Sequence, residues 1–266
     1  MEGRMGPVTI APESLFPLLR RFPAPILLDV RREERWRDAA ESIPGAIHRD
    51  PEAVAAWAGT LEPHRPVVAY CVHGHEVSQG VAAALRAGGF EARILAGGIE
   101  GWRAAGLPVA PKTPPSLWVT RERPKIDRLA CPWLIRRFLD PDARFLFVPT
   151  REVAAVAEAT DATPFDVENV ALTHRGDGCT FDTLIADKGL ADPALARLAL
   201  MVRGADTAAY HLHHAAAGLF AASLGLSALF AHDDHAMLRH GFALYDALYL
   251  WCRDLQEETH GWPPKA

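Results

Sequence analysis

Apolar and polar positions change period repeatedly along this chain, and the changes predict its elements. Ile26 to Val30 and Val67 to Tyr70 are short, nearly unbroken apolar runs, the pattern of strands covered on both faces. Ala92 to Leu95 is another such run, Ala46 to His48 a brief one, and Val8-Thr9-Ile10 an edge strand. Between them the spacing turns helical, at Glu13 to Arg21, Glu33 to Ala40, Gly98 to Ala105 and around Val81, Ala82 and Leu85. Pro51 to Trp57 reads as a helix opening on proline, Pro44-Gly45 as a turn, and Gly88-Gly89 as a helix stop. Strands alternating with helices predict an α/β fold around a parallel sheet with flanking helices.

The alternation ends at Leu107 to Pro115, LPVAPKTPP, which is proline-rich and has no apolar period. It reads as a semi-rigid linker, placed at 109–116, between a domain over 1–108 and another over 117–266. In the second region Trp118 to Arg121 and Arg144 to Val148 predict strands, and Pro164 to Val167 and Ala171-Leu172 shorter ones. Ile126 to Leu139 has helical spacing, with a kink expected at Pro132. Glu152 to Ala159, Phe181 to Ala186, Pro193 to Val202, Ala215 to Phe230 and His235 to Leu255 follow as helices with wide apolar stripes. This half is expected to be a mainly helical α+β domain with its own core.

Composition narrows the classes. A hydrophobic share of 49% in 266 residues suits two soluble, core-forming domains. A net charge of -5 argues against broad nucleic-acid binding. No apolar run reaches about 18 residues, so no membrane span is expected. The leading MEGRMGPVTI lacks the apolar core of a signal peptide. Cys71, Cys131, Cys179 and Cys252 lie far apart without a C-x-x-C pair, which fits a reducing, cytoplasmic setting.

Cys71 is the residue best placed for chemistry. It ends the Val67–Tyr70 run, and the loop Val72-His73-Gly74-His75-Glu76-Val77-Ser78 leads from it into a helix. Main-chain N–H groups of a curled loop and a helix start favour a thiolate there, lowering the thiol pKa and raising reactivity. A lone cysteine in such a place also fits a small core residue closing a strand. The surrounding motifs favour the reactive reading. Residues from about Val8 to Val109 resemble a single-domain rhodanese, a sulfurtransferase. The resemblance rests on Ile26-Leu27-Leu28-Asp29-Val30-Arg31, Ile43-Pro44-Gly45-Ala46, Cys71 and Leu95-Ala96-Gly97-Gly98-Ile99-Glu100-Gly101-Trp102. It implies a persulfide on Cys71, loop amides that stabilise anionic sulfur, and Asp29 partnered by Arg31 as support for the loop scaffold. It implies no cofactor for sulfur transfer. Its partners would be a small-molecule sulfur donor and acceptor, such as thiosulfate, thiols or persulfides. Many single-domain rhodaneses carry arginine five residues after the cysteine; here that residue is Glu76, so weak use of the thiosulfate dianion is expected. His73 and His75 could restore positive charge if protonated.

The second half resembles the C-terminal part of the chromate-resistance protein ChrB family. The matching segments include Trp118-Val119-Thr120-Arg121, Lys125-Ile126-Asp127-Arg128, Cys131 to Phe138, Cys179-Thr180-Phe181-Asp182, Val202 to Thr207 and Tyr245 to Tyr249. The resemblance ties this half to chromate resistance, with an oxyanion sensor or regulator as the alternative to an enzyme. Arg121, Arg123, Lys125, Arg128 and Arg136, with Arg137 beside them, form a basic cluster suited to a tetrahedral oxyanion such as chromate, or to a solvated, salt-bridged face. His174, His211, His213, His214, His232, His235 and His240 all fall in this half. His174 with Asp182 and Asp206, and Asp246 nearby in the family-like segments, is the candidate set for a metal ion. Cys131 and Cys252 read as core, Cys179 as more open.

Overall fold

A computed structural model describes residues 8–258. The leading stretch MEGRMGPVTI, expected to hold no signal peptide, lies mostly outside them. The chain forms two compact units. One comprises the chain up to Ser116 with Phe138–Asp142, and the other comprises Leu117–Arg137 with the chain from Ala143 onward.

The first unit runs β1 (Thr9–Ile10), α1 (Pro12–Leu19), β2 (Ile26–Asp29), α2 (Glu33–Asp38), β3 (Glu41–Ser42), β4 (Ile47–His48) and α3 (Val54–Trp57). It continues with β5 (Val67–Tyr70), α4 (Glu76–Ala87), β6 (Ala92–Leu95), α5 (Gly98–Ala104) and β7 (Ala110–Pro111). Five strands form one sheet in the order β1-β6-β5-β2-β4, and all its pairings are parallel. Both faces are covered. Ile26, Leu28, Val67, Ala69 and Ile94 pack with Val81, Ala82 and Leu85 of α4 on one side. Leu27, Val68, Tyr70 and Leu95 pack with Leu15, Ile99 and Trp102 on the other. This explains the unbroken apolar runs, because each strand needs apolar groups in both directions.

Two expectations need correction in this unit. The expected helix over Pro51 to Trp57 begins only at Val54, and residues 51–52 form a turn. The supposed linker is partly ordered against its own unit: β7 pairs antiparallel with β3, matching Glu41 to Pro111 and Ser42 to Ala110. The Trp102 indole donates to the Pro108 carbonyl at 2.8 Å, and Lys112 lies over the Trp36 ring at 4.3 Å. Residues 138–142 complete the unit. Phe138 stacks on Phe22 at 6.1 Å, and Asp140 takes the Ser116 N–H and hydroxyl at 2.7 and 2.6 Å.

The second unit holds β8 (Leu117–Arg121), α6 (Asp127–Leu134), β9 (Arg144–Val148), α7 (Val153–Thr160) and β10 (Thr163–Pro164). It ends with α8 (Thr180–Asp187), α9 (Pro193–Asp206), α10 (Ala216–Leu229) and α11 (Asp234–Asp254). Its sheet is parallel, in the order β10-β8-β9, with Val119 packed against Val153 and Ala162. Most of the rest is helical, so the two-part fold class is α/β followed by a mainly helical α+β region. The helix starting at Asp127 does not simply continue to Leu139; it widens into a π turn over Ile135–Leu139, just past Pro132. α9 runs four residues beyond the expected Val202, which carries Asp206 into its last turn. No helix among the described residues is long and apolar enough to cross a membrane.

Candidate functional site

Strand alternation sends Val67, Ala69 and Cys71 to one face of the sheet and Val68 and Tyr70 to the other. Cys71 therefore arrives at the carboxyl end of β5 under α4, only 7% exposed. The loop after it is held by direct backbone contact with the β6–α5 turn. The Ile99 and Glu100 N–H groups donate to the Cys71 and Val72 carbonyls at 3.0 and 3.1 Å. Gly98 has φ +59, and a Cβ there would lie 2.4 Å from the Cys71 carbonyl oxygen and 2.5 Å from that of Val72. Gly74 has φ +74, and its Cβ would lie 2.7 Å from the Leu95 carbonyl oxygen. Only glycine allows both conformations and both close approaches.

With these carbonyls tied back, the N–H groups of His73, His75 and Ser78 serve the sulfur. Burial pushes the Cys71 thiol up, but hydrogen bonds from the Ser78 hydroxyl and from the Ser78, His75 and His73 main chain outweigh it. The pKa falls below the ordinary cysteine value. Ser78 Oγ lies 3.3 Å from Sγ and 3.1 Å from the His75 carbonyl oxygen. Its one proton can serve either acceptor. A protonated thiol donates to Oγ, whereas a thiolate draws the hydroxyl proton toward itself. Val77 is half-buried at the loop's end, and His73, His75 and Glu76 are exposed on its rim, with Glu76 in the first turn of α4.

Asp29 and Arg31 form a separate buried network. Arg31 grips Asp29 through Nε and Nη at 2.9 and 2.5 Å and donates to the Glu41 carbonyl at 3.0 Å. The Tyr70 hydroxyl donates to Asp29 at 2.9 Å and accepts from the Ile43 N–H at 3.3 Å. Burial, then the Asp29 charge, pushes the Tyr70 phenol up, so it remains a donor. The network lies on the sheet face opposite Cys71. Tyr70, which this network holds, immediately precedes Cys71 in the chain.

In the second unit the structure gathers residues that sequence spacing did not. Asp127, at the start of α6, is 1% exposed and caps α8, accepting the Thr180 and Phe181 N–H groups at 2.6 and 2.9 Å. His174 Nε2 lies 3.6 Å from Asp127, 3.5 Å from Asp166 and 3.2 Å from Asp206. Asp166, at φ +52, also accepts from Thr180 Oγ1 at 2.8 Å and pairs with Arg121 and Arg128, each at 3.2 Å. Burial first, then the neighbouring carboxylates, pushes the Asp127 pKa well up, and Asp206 is raised for the same reasons. A cleft of about 610 Å³ opens beside these groups, lined in part by Arg121, Asp166, Glu168 and His174.

Of the expected metal set, His174 and Asp206 come together, and Asp182 does not join them. Asp182 closes a capping box with Cys179 and pairs with Arg203 at 2.6 Å. Asp127 takes its place. It stands in a family-like segment, and the missed signal was a carboxylate immediately before an apolar helix, beside an arginine. Asp246 instead holds Trp133 and Arg137 at 2.7 and 2.8 Å.

The basic cluster also divides. Arg121 and Arg128 meet at Asp166, while Arg136 turns to the Ala143 carbonyl and the Phe145 and Phe242 rings. Arg123 and Lys125 stay on the loop between β8 and α6. The other histidines mostly pack as rings: His213 and His214 stack at 4.6 Å, His235 meets Phe147, and His240 stacks on Phe230. Cys179, expected to be open, is fully buried, and burial with Asp127 and Asp182 pushes its thiol far up.

Comparison with known proteins agrees with this two-part arrangement. Residues 118–252 match the family described as ChrB, C-terminal domain. The chain belongs to that ChrB family. Residues 18–105 match the Rhodanese-like domain family, so Cys71 lies in the rhodanese-like part, and Asp127, Asp166, His174 and Asp206 lie in the ChrB part. The chain is 38% identical over 133 residues to protein ChrB of Cupriavidus metallidurans, covering 50% of this chain and 39% of that protein's length. It is 34% identical over 101 residues to thiosulfate sulfurtransferase GlpE of Actinobacillus succinogenes, covering 38% of this chain and 87% of that one. The solved rhodanese-like domain protein of Staphylococcus aureus is similar at 23% identity, over 40% of this chain and 98% of that one, with a TM-score of 0.35.

Proposed function

We propose that the rhodanese-like unit is a cytoplasmic sulfurtransferase working through a persulfide on Cys71. The observation that carries this reading is a nearly buried thiol whose pKa is lowered by three main-chain N–H groups and the Ser78 hydroxyl. In the first half-reaction the Cys71 thiolate attacks the sulfane sulfur of a donor. A sulfur–sulfur bond forms to Cys71, and the donor's own bond to that sulfur breaks, its electron pair leaving with sulfite or a thiolate. In the second, a nucleophilic acceptor takes the outer sulfur and Cys71 departs as thiolate. The loop amides stabilise negative charge in both steps. Glu76 on the rim disfavours a dianionic donor, so a low-molecular-weight or protein persulfide is preferred over thiosulfate. The ChrB unit links this chemistry to chromate resistance, on the strength of the family resemblance.

The alternative, an oxyanion sensor centred on Arg121 and Arg128, meets a physical obstacle: Asp166 already pairs with both guanidiniums and would repel an anion. The test is to load the full chain with a glutathione persulfide and measure intact mass. One added sulfur atom at Cys71, released as thiocyanate by cyanide and missing in Cys71→Ser, is expected. An unloaded Cys71 would refute the reading.

A further inference from the structure

Asp127, Asp166, His174 and Asp206 come from the start of α6, two loops and the end of α9, yet they converge on one point. Oxygens of Asp127 and Asp206 and a ring nitrogen of His174 all lie within 4.8 Å of one another. Two ligands about 2.1 Å from one ion, at tetrahedral or octahedral angles, stand roughly 3.0–3.4 Å apart. The three carboxylate oxygens lie 3.2, 3.5 and 3.6 Å from His174 Nε2, close to that spacing. Hydrogen bonding accounts for the arrangement poorly. A single ring N–H serves one acceptor well, at about 2.7–3.2 Å, and here three acceptors surround it at or beyond the far edge of that range.

The ligand atoms are also held in place. Two α8 N–H groups fix Asp127. Thr180 Oγ1 fixes Asp166. Such outer contacts orient metal ligands before the ion arrives. Three carboxyl groups face two guanidiniums, Arg121 and Arg128, and two of the three, Asp127 and Asp166, are buried. A second observation points to a ligand as well: Arg121, which lines the adjoining cleft, has a buried Nε–H with no acceptor among the described residues. A water bound to an ion at the cleft floor would supply one.

We propose that Asp127, His174 and Asp206 bind one divalent first-row transition ion, with Asp166 beside it and the cleft giving access. Mixed carboxylate and imidazole donors suit Mn(II), Fe(II) or Zn(II). This site is independent of the Cys71 chemistry, so either can fail without the other.

The test is equilibrium dialysis of the chelator-treated full chain against each of these three ions, under argon for Fe(II), with metal content measured by mass spectrometry. One equivalent of at least one ion is expected, with affinity falling about tenfold or more in Asp206→Asn and in His174→Ala. Asp127→Asn is avoided because it disturbs the α8 cap. Electron-spin-echo spectra of bound Mn(II) in the unmutated protein should show one imidazole nitrogen, a readout that does not depend on a variant folding. Absence of stoichiometric binding by all three ions, binding that survives both substitutions, or a Mn(II) spectrum without imidazole coupling would overturn the proposal.

Discussion

Ser78→Ala isolates the side-chain contribution to Cys71 reactivity. The substitution removes the hydroxyl 3.3 Å from Sγ and leaves the N–H groups of His73, His75 and Ser78 in place. A hydrogen bond to a charged group contributes about 1.5–3 kcal/mol, and one pKa unit corresponds to roughly 1.4 kcal/mol. The Cys71 pKa should therefore rise by about 1–2 units. Below both pKa values the thiolate fraction drops about 10- to 100-fold, while higher basicity returns part of the loss through a Brønsted slope of about 0.4–0.5. The net expectation is a roughly 3- to 16-fold slower exchange with a small aromatic disulfide. A stopped-flow pH–rate profile reads this directly. Cys131, Cys179 and Cys252 are fully buried with raised pKa values, so they contribute no competing signal in the native protein. The sign is fixed by direction: a lowered thiol pKa keeps reactivity high as pH falls, and the variant should lose it at a higher pH. An unchanged profile in a folded variant would mean that the hydroxyl stays committed to the His75 carbonyl, leaving the amides to do all the tuning.

Two other perturbations address the loop. Gly98→Ala forces a methyl group into the Cys71 and Val72 carbonyls at a positive φ. It should cost about 2–4 kcal/mol in urea denaturation, with Cys71 exchange slowed in whatever protein still folds. Glu76→Arg turns a repelling rim charge into an attracting one, and should lower KM for thiosulfate by roughly tenfold, about 1.4 kcal/mol, in a cyanide-coupled assay. An unchanged KM would show that the rim does not select the donor.

The first site was readable because it is local. Strand, cysteine, loop and helix follow one another within about twenty residues, and of the two glycines that lock the loop one, Gly74, lies inside it and the other, Gly98, lies in the Leu95 to Trp102 motif. The two-residue strands β3 and β7 were not readable, since such brief pairings carry no period; Trp102 and Lys112 pack close by. The carboxylate–histidine cluster was half readable. His174 and Asp206 stood out by residue type, but Asp127 and Asp166 join them only when α6, α8 and α9 pack, and spacing along the chain holds no trace of that. The basic cluster misled because side-chain direction, not proximity in sequence, sends Arg136 onto aromatic rings and away from Arg128.

The return of residues 138–142 to the first unit bears on how the protein can be divided. The polypeptide changes unit after Ser116, after Arg137 and again after Asp142. A single cut in the proline-rich stretch would not release an intact rhodanese-like unit, since Phe138 and Asp142 would stay with the other fragment and their contacts with Phe22 and Arg49 would be lost. Swapping one module for a homologous one therefore means transplanting that pentapeptide too, so recombination at one junction would yield an incomplete product.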